Sequence, residues 1–403
     1  MRSLSFDERG AGARHSVCAV TGTRAEFGLL RPLLARLQEE PAVELRLIVT
    51  GSHLSQAFGQ TACEIEEAGF SGYEKIPVLS GGDSQADMVQ ATGRALSAFA
   101  ASFSRLRPEL LVILGDRYEI FAAAAAAAML GIPIAHLCGG ETTEGAVDEF
   151  LRHSITKMST LHFTGCEEYR RRVIQLGEAP DRVFNVGEPG VENAANLAVL
   201  TPEDLRADLG FPRPDRPYAV VTFHPVTLER ETGESQLRQL IQAMDAFPQL
   251  DYIVTLANAD AGGRAINRIW EEEGARRRNW LVVPSLGAKR YVSALRSAAF
   301  VLGNSSSGIT EAPSFHIPTV NIGDRQRGRV MAGSVLCCPA DAAAIESAIR
   351  RAMTEEFRSF AARESSPFGD GHTSEKILPV LLGFLESSDK SLKKPFYDLS
   401  FEV

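Results

Sequence analysis

Residues 16–51, SVCAVTGTRAEFGLLRPLLARLQEEPAVELRLIVTG, decide the fold. Two short β-rich apolar runs, SVCAVTG and VELRLIVTG, flank the helical pattern EFGLLRPLLARLQEE. Strand, helix and strand in that order make a βαβ unit, and continuous apolar strands separated by helices imply a parallel sheet covered on both faces. The pattern continues with LLVILGD before YEIFAAAAAAAML, then PIAHLCGG, then LHFTG before CEEYRRRVIQLG. Beyond a stretch rich in proline and charge, VLTPEDLRADLGFPRPDRP, a second series begins at YAVVTFH. It runs through LDYIVTLAN, WLVVPS, AFVLGN and TVNIG to SVLCC and DAAAIESAIRRAM. The class expected is α/β, with two Rossmann-like domains on parallel sheets. The expected division is a polar extension at 1–15, a first domain at 16–200, a linker at 201–217, a second domain at 218–372, and a helix or tail at 373–403 that returns to the first domain. The alanine-heavy helix reads as a close-packing device against the sheet, and EEEGARRR as a solvated helix end.

Composition agrees with this frame. At 403 residues the chain exceeds what one core usually holds, and its 44% hydrophobic and 23% charged content is that of a globular protein. A net charge of −9 argues against a nucleic-acid surface, so a basic cluster here should be local and aimed at a small anion. The six cysteines show no CxxC spacing and read as thiols of a reducing compartment rather than a zinc ribbon. The polar start MRSLSFDERGAGARH has no apolar h-region, and the longest apolar run, 120–134, falls short of the roughly 20 residues of a membrane span. A cytoplasmic protein without membrane or nucleic-acid partners is expected.

The polar groups that carry chemistry stand just after strands, where an open α/β sheet places its ligands. Thr21, Gly22, Thr23, Arg24 and Glu26 form a turn without the GxGxxG spacing, so a dinucleotide cofactor is not supported, while Arg24 suits a diphosphate. His53 follows the second strand as either a ligand contact or a structural hydrogen-bonder. GDRYE at 115–119 and HLCGGETTEGAVDEFLRH at 136–153 bring Asp116, Glu141 and Asp148 toward one crevice, with Arg117 expected to offset their repulsion. Asp148 also fits a plain N-cap, and His136, Glu141 and Asp148 also fit a metal site. In NSSSGITEAPSFHIPTVNIGDRQRGR, 304–329, a polar turn after a strand offers Asn304, Ser305, Ser306, Ser307 and Gly308 to an anion at a helix start. Glu311 is placed for ribose hydroxyls, and Arg325, Arg327 and Arg329 for phosphate oxygens.

Taken together, VTGTRAEFGLL, GSHL, GDRYE, GGETTEGAVDEFLRHSITKMSTLHF, VGEPGVEN, TFHPVTLE and the 304–329 segment resemble the hydrolysing UDP-N-acetylglucosamine 2-epimerases over about residues 16–355. The resemblance implies a glycosyltransferase-B fold with the active site between domains, and catalytic roles for Asp116, Glu141, Asp148 and His224. It also implies UDP contacts from Arg24, Ser305, Ser306, Glu311 and Arg325, with Asn258 close to nucleotide or sugar. Glu144 departs from the pattern as a fourth acid expected to face solvent.

The implied reaction is an elimination followed by hydration. The C2 proton of a UDP-sugar has no adjacent carbonyl, so its removal must be coupled to departure of UDP from C1, leaving a glycal to which water adds. Three acids suit two proton transfers, cations suit the diphosphate, and the scheme calls for no cofactor. The donor is UDP-N-acetylglucosamine or UDP-N,N′-diacetylbacillosamine, with transfer to an acceptor by a glycosyltransferase as the alternative chemistry. The resemblance also implies a homodimer or homotetramer.

Overall fold

The computed structural model describes residues 14–55, 61–79, 85–144, 147–210, 216–225, 233–257, 263–388 and 390–400. Strands β1 (His15–Thr21), β2 (Val43–Thr50), β3 (Glu74–Ile76), β4 (Leu110–Leu114), β5 (Ile134–Leu137), β6 (Leu161–Thr164) and β7 (Val183–Asn185) form one parallel sheet in the order 3-2-1-4-5-6-7. A second parallel sheet has β8 (Tyr218–Thr222), β9 (Asp251–Thr255), β10 (Trp280–Val283), β11 (Phe300–Gly303), β12 (Thr319–Ile322) and β13 (Val335–Cys338) in the order 10-9-8-11-12-13. Strand order reverses between β1 and β4 in the first sheet and between β8 and β11 in the second. Open α/β sheets leave a crevice at such points, outside the carboxyl ends of the strands.

Side chains alternate along β1, so Val17 and Ala19 join one core with Leu30, Leu34 and Leu37, while Cys18 and Val20 join another with Phe99 and Phe103. The helix Tyr118–Met129 buries Ala122 to Ala127 against the sheet and the helix Gln85–Leu106. Small side chains permit that close approach. In the second lobe Trp270, Tyr252 and Phe300 anchor one face, and Tyr218, Leu286 and Leu295 the other.

Two features depart from the sequence reading, and a third gives the course of the tail. Within 201–217 there is a helix, Pro202–Leu209, capped by the Thr201 hydroxyl and closed by Gly210 in the left-handed region; its Leu205 is buried in the second lobe. Arg277 of EEEGARRR does more than face solvent: it makes a forked pair with Asp245, both bonds 2.7 Å, and lies over the Trp280 ring. The segment 390–400 runs along the amino-terminal ends of the first sheet. Lys390 meets Glu109 at 3.1 Å, Lys394 meets Ser159 O and Glu178 at 2.7 Å, and Tyr397 N donates to Gly177 O at 2.9 Å. Before it, the helix Thr373–Glu386 sets Ile377, Leu381, Phe384 and Leu385 into the core of the first sheet. Each such side chain contributes about 1.5–3 kcal/mol of burial. Among the described residues no helix is long and apolar enough to cross a membrane.

Candidate active site

The turn after β1 is built by a reciprocal cap. Thr23 Oγ1 accepts from Glu26 N at 3.2 Å, and Glu26 Oε2 accepts from Gly22 N at 2.7 Å and Thr23 N at 3.2 Å. Gly22 has no alternative, because a Cβ there would lie 2.7 Å from Glu119 Cγ beneath it. Arg24 opens the helix Arg24–Glu39, pairs with Glu64 at 3.0 Å and lies beside Gly287 of the second lobe, so it spans the cleft. Burial, with Glu119 next, pushes the Glu26 carboxyl up to about 8.

Arg117 is not the cation that balances the acids. Its Nε bonds the buried Glu119 at 2.9 Å, and Arg152 takes the expected role instead. Arg152 is 1% exposed and pairs with Asp116, with Glu149 at 2.9 Å, with the Glu141 carbonyl at 3.0 Å and with Thr143 Oγ1 at 2.6 Å. One guanidinium therefore ties the ends of β4 and β5 together. The Glu141 carboxylate meets Arg329 of the second lobe at 3.0 Å. Asp148 is the exposed first residue of the helix Asp148–Met158; Val147 occupies the cap position, so the plain N-cap reading of Asp148 does not hold. At i and i+4, Asp148 and Arg152 share a helix face. Glu144 pairs with Arg327 across the lobes at 3.4 Å rather than facing solvent alone.

The metal grouping of His136, Glu141 and Asp148 does not form. His136 is fully buried, with Nε2 2.8 Å from Gly115 O and Nδ1 3.4 Å from Thr156 Oγ1. Among the described residues the side chains that converge with ligand geometry are Cys138, Glu141 and Glu188. His53 is likewise buried and engaged on both ring nitrogens, by Thr21 at 3.1 Å and Thr61 at 2.8 Å. That makes it a brace of the turn and leaves no ring nitrogen open to a ligand.

In the second lobe Gly303 has φ +133 and abuts the Thr222 carbonyl, which a Cβ would approach to 2.0 Å. This brings β8 and β11 close enough for Asn304 to act as a clamp. Its Oδ1 accepts from His224 N at 2.7 Å and its Nδ2 donates to His224 O at 2.8 Å. Asn304 is therefore engaged internally and not offered to an anion. Its carbonyl accepts from Arg325 Nη1 at 3.1 Å and Gln326 Nε2 at 2.8 Å, which sets Arg325 beside the half-exposed Ser305 and Ser306. Burial, then Arg325, hold the His224 imidazole down to about 3, so it is neutral, and its Nδ1 has no partner among the described residues. The helix expected after the turn is only Ser307–Thr310 before a 3-10 turn, too short for a substantial dipole.

Gly308 is a packing residue whose carbonyl accepts from Thr319 Oγ1 at 2.8 Å. Glu311 is pushed up by burial and bonded to Ser307, whose Oγ lies 2.6 Å from Tyr291 Oη. A Cβ at Gly190 of the first lobe would lie 2.6 Å from Glu311 Oε1, so this acid also stands at the interlobe gap. Asn258 lies outside the described residues. Arg152, Glu188 and Tyr291 were missed as site residues because their partners are distant in sequence. The only local signal was an arginine one turn after Asp148, a spacing equally common on solvated helices.

The UDP-N-acetylglucosamine 2-epimerase family model matches residues 35–382. The chain is 38% identical over 381 residues to the polysialic acid biosynthesis protein P7 of Escherichia coli, covering 94% of this chain and 96% of that protein. It is 36% identical over 388 residues to the hydrolysing GDP/UDP-N,N′-diacetylbacillosamine 2-epimerase of Campylobacter jejuni, covering 96% and 100%. The UDP-GlcNAc 2-epimerase of Neisseria meningitidis, solved bound to UDP-GlcNAc, superposes with a TM-score of 0.78 at 18% identity, covering 91% of this chain and all of that one. At that identity the likeness speaks for the two-lobed glycosyltransferase-B fold, as the sequence led us to expect. With the family model spanning most of its length and relatives above 30% identity along nearly all of it, the chain belongs to the UDP-N-acetylglucosamine 2-epimerase family.

Proposed function

We propose that the protein is a hydrolysing UDP-N-acetylglucosamine 2-epimerase that eliminates UDP and hydrates the resulting 2-acetamidoglucal to N-acetylmannosamine. The observation that carries this reading is that Arg152 holds Asp116 and the Glu141 carbonyl, while the Glu141 carboxylate is met across the lobes by Arg329, four residues after the Arg325 that is fixed to the Asn304 carbonyl. Negative charge developing on the departing diphosphate needs Arg24, Arg325 and the serine turn, while C2 needs a carboxylate on one face and a carboxylic acid on the other. Asp116, Glu141 and Asp148 supply these, and neutral His224 donates or accepts a hydrogen bond at the phosphates. In this reading the carboxylates come from the first lobe, 16–200, and the nucleotide groups other than Arg24 from the second, 218–372.

Incubation with donor in heavy water tests the chemistry. Deuterium at C2 of the released sugar, together with free UDP, is expected. Transfer to an acceptor without deuterium would identify a glycosyltransferase instead. D116N, E141Q and D148N should each lower turnover by about 10² or more, and near-normal turnover removes that residue from the scheme. Names of relatives point to two donors, so UDP release from UDP-N-acetylglucosamine and from UDP-N,N′-diacetylbacillosamine should be compared side by side. A cytoplasmic homodimer or homotetramer completes the proposal, supported by the free cysteines and checked by sedimentation equilibrium.

A further inference from the structure

We propose that Glu188 is a positioning residue: a buried neutral carboxyl beside Glu141 that leaves Arg329 wholly to that carboxylate. The proposal rests on the reading that Glu141 works at the sugar. Glu188 precedes the helix Pro189–Asn196 but makes no cap bond with its side chain, which turns instead toward the end of β5. The residue is 6% exposed. Its Oε2 accepts from Cys138 Sγ at 3.7 Å, and its Oε1 is buried against Gly165, where a Cβ would lie 1.7 Å away, with no partner among the described residues. One oxygen of Glu141, one of Glu188 and Cys138 Sγ all lie within 4.8 Å of one another.

Two further observations point to the same pair. Cys138 has φ +64, a left-handed conformation that costs a side-chain-bearing residue about 1–2 kcal/mol, and the strained turn aims its thiol at Glu188. Arg329 holds Glu141 through Nη2 at 3.0 Å, while its Nε is buried and has no partner among the described residues. The guanidinium therefore has a second seat for a carboxylate.

Among the described residues no cation is paired with Glu188. An ionised carboxylate so deeply buried and unpaired is costly, and the group resolves that cost by holding a proton. A metal ion there would confront the fixed charge of Arg329; a proton does not. The groups facing Glu188 are Glu141 and Cys138 from the loop after β5, Cys166 at the start of the helix Glu167–Gln175, and Arg329 and Glu311 from the second lobe. Tyr169 stands behind Glu141 and Arg329. Burial first, then Glu141, push the Glu188 carboxyl up to about 8. When the proton leaves, a second anion appears beside Glu141 and competes for Arg329, so Glu141 loses its hold and turnover falls on the alkaline side.

The experiment compares the pH dependence of kcat and KM for UDP release in the wild type and E188Q. In the wild type kcat should fall about tenfold per pH unit above an apparent pKa near 8. E188Q, neutral at every pH, should lose that limb and keep a neutral-pH kcat within about tenfold of the wild type. The same limb in E188Q, or an equal loss at every pH, would overturn the proposal. Infrared titration gives a readout that does not use the E188Q variant: in an E26Q/E311Q background, which removes the other carboxyls that burial pushes up, the carbonyl band of a protonated carboxylic acid should be half lost at the midpoint of the wild-type kcat limb. A spectrum without that band at neutral pH overturns the proposal as well. Absence of UDP release from any donor would instead defeat the functional reading, and the infrared titration would still decide the state of Glu188.

Discussion

The two walls of the cleft solve the same problem by opposite means. The first-lobe wall is ionic: Asp116, Glu141 and Glu149 are organised by the buried guanidinium of Arg152, and each charge depends on another. The second-lobe wall is organised by an uncharged side chain, Asn304, whose amide joins the loops of His224 and Arg325 through backbone groups. An ionic wall can change protonation during proton transfer but collapses if one charge is lost. An amide clamp cannot titrate, which suits the diphosphate-holding role proposed for this wall.

The sharpest way to break the comparison is R152M. It takes the buried guanidinium from the half-buried Asp116 and Glu149 and from the Glu141 carbonyl, and stability should fall by about 3–5 kcal/mol in urea unfolding, with turnover lost in parallel. A loss under about 1 kcal/mol would mean that water replaces the guanidinium and that the wall is not ionic in the sense argued.

Next in size is the pH dependence of stability. His53 and His136 are held down to about 4 and His224 to about 3 by burial, against an ordinary 6.5. Below 6.5 the unfolded chain takes up protons that the folded one refuses, so the histidines lower stability as pH falls. Glu26 and Glu188 are pushed up to about 8 from 4.5. Between those values the folded chain keeps protons that the unfolded one has lost, so these acids lower stability as pH rises. Above 6.5 nothing from the histidines opposes them. Thermal unfolding should therefore show stability falling from about 6.5 to 8, and E26Q should flatten that fall. A flat wild-type curve over this range would contradict the ionic description.

A smaller effect is expected for N304A. Losing two bonds to the His224 backbone should cost about 1–3 kcal/mol, and calorimetry should show weaker UDP binding. If binding weakens only in high salt, the clamp is not what sets Arg325. The smallest effect belongs to R327A, whose pairing with Glu144 is exposed on both sides. It should change stability by about 0–1 kcal/mol. A larger loss would show that this contact, rather than Arg329 with Glu141, holds the lobes together.

Much of the architecture could be read from local pattern. Apolar runs marked most strands, and of the groups at their carboxyl ends Arg24, Asp116, His224 and Ser305 follow the strands that flank the switch points, with Glu141 one strand further on. Short elements escaped: β3 and β7 have three residues each, too few for a period to show. The span 390–400 was also illegible, because its order comes from Lys390, Lys394 and Tyr397 meeting partners in other parts of the chain. Arg117 was chosen to balance the acids because it stands next to Asp116 in sequence. The fold points it at Glu119 and brings Arg152 from 36 residues away.

By itself the sequence determined that two parallel sheets form and that the reactive residue types stand at strand ends, because strand and helix periods and turn residues act over a few positions. Only the tertiary structure decided which cation neutralises which acid, that Asn304 clamps His224 80 residues away, and that Glu188 lies beside Glu141 with no cation paired to it among the described residues. Coulomb energy, desolvation and hydrogen bonding depend on distance in space, and those distances exist only once both lobes have packed.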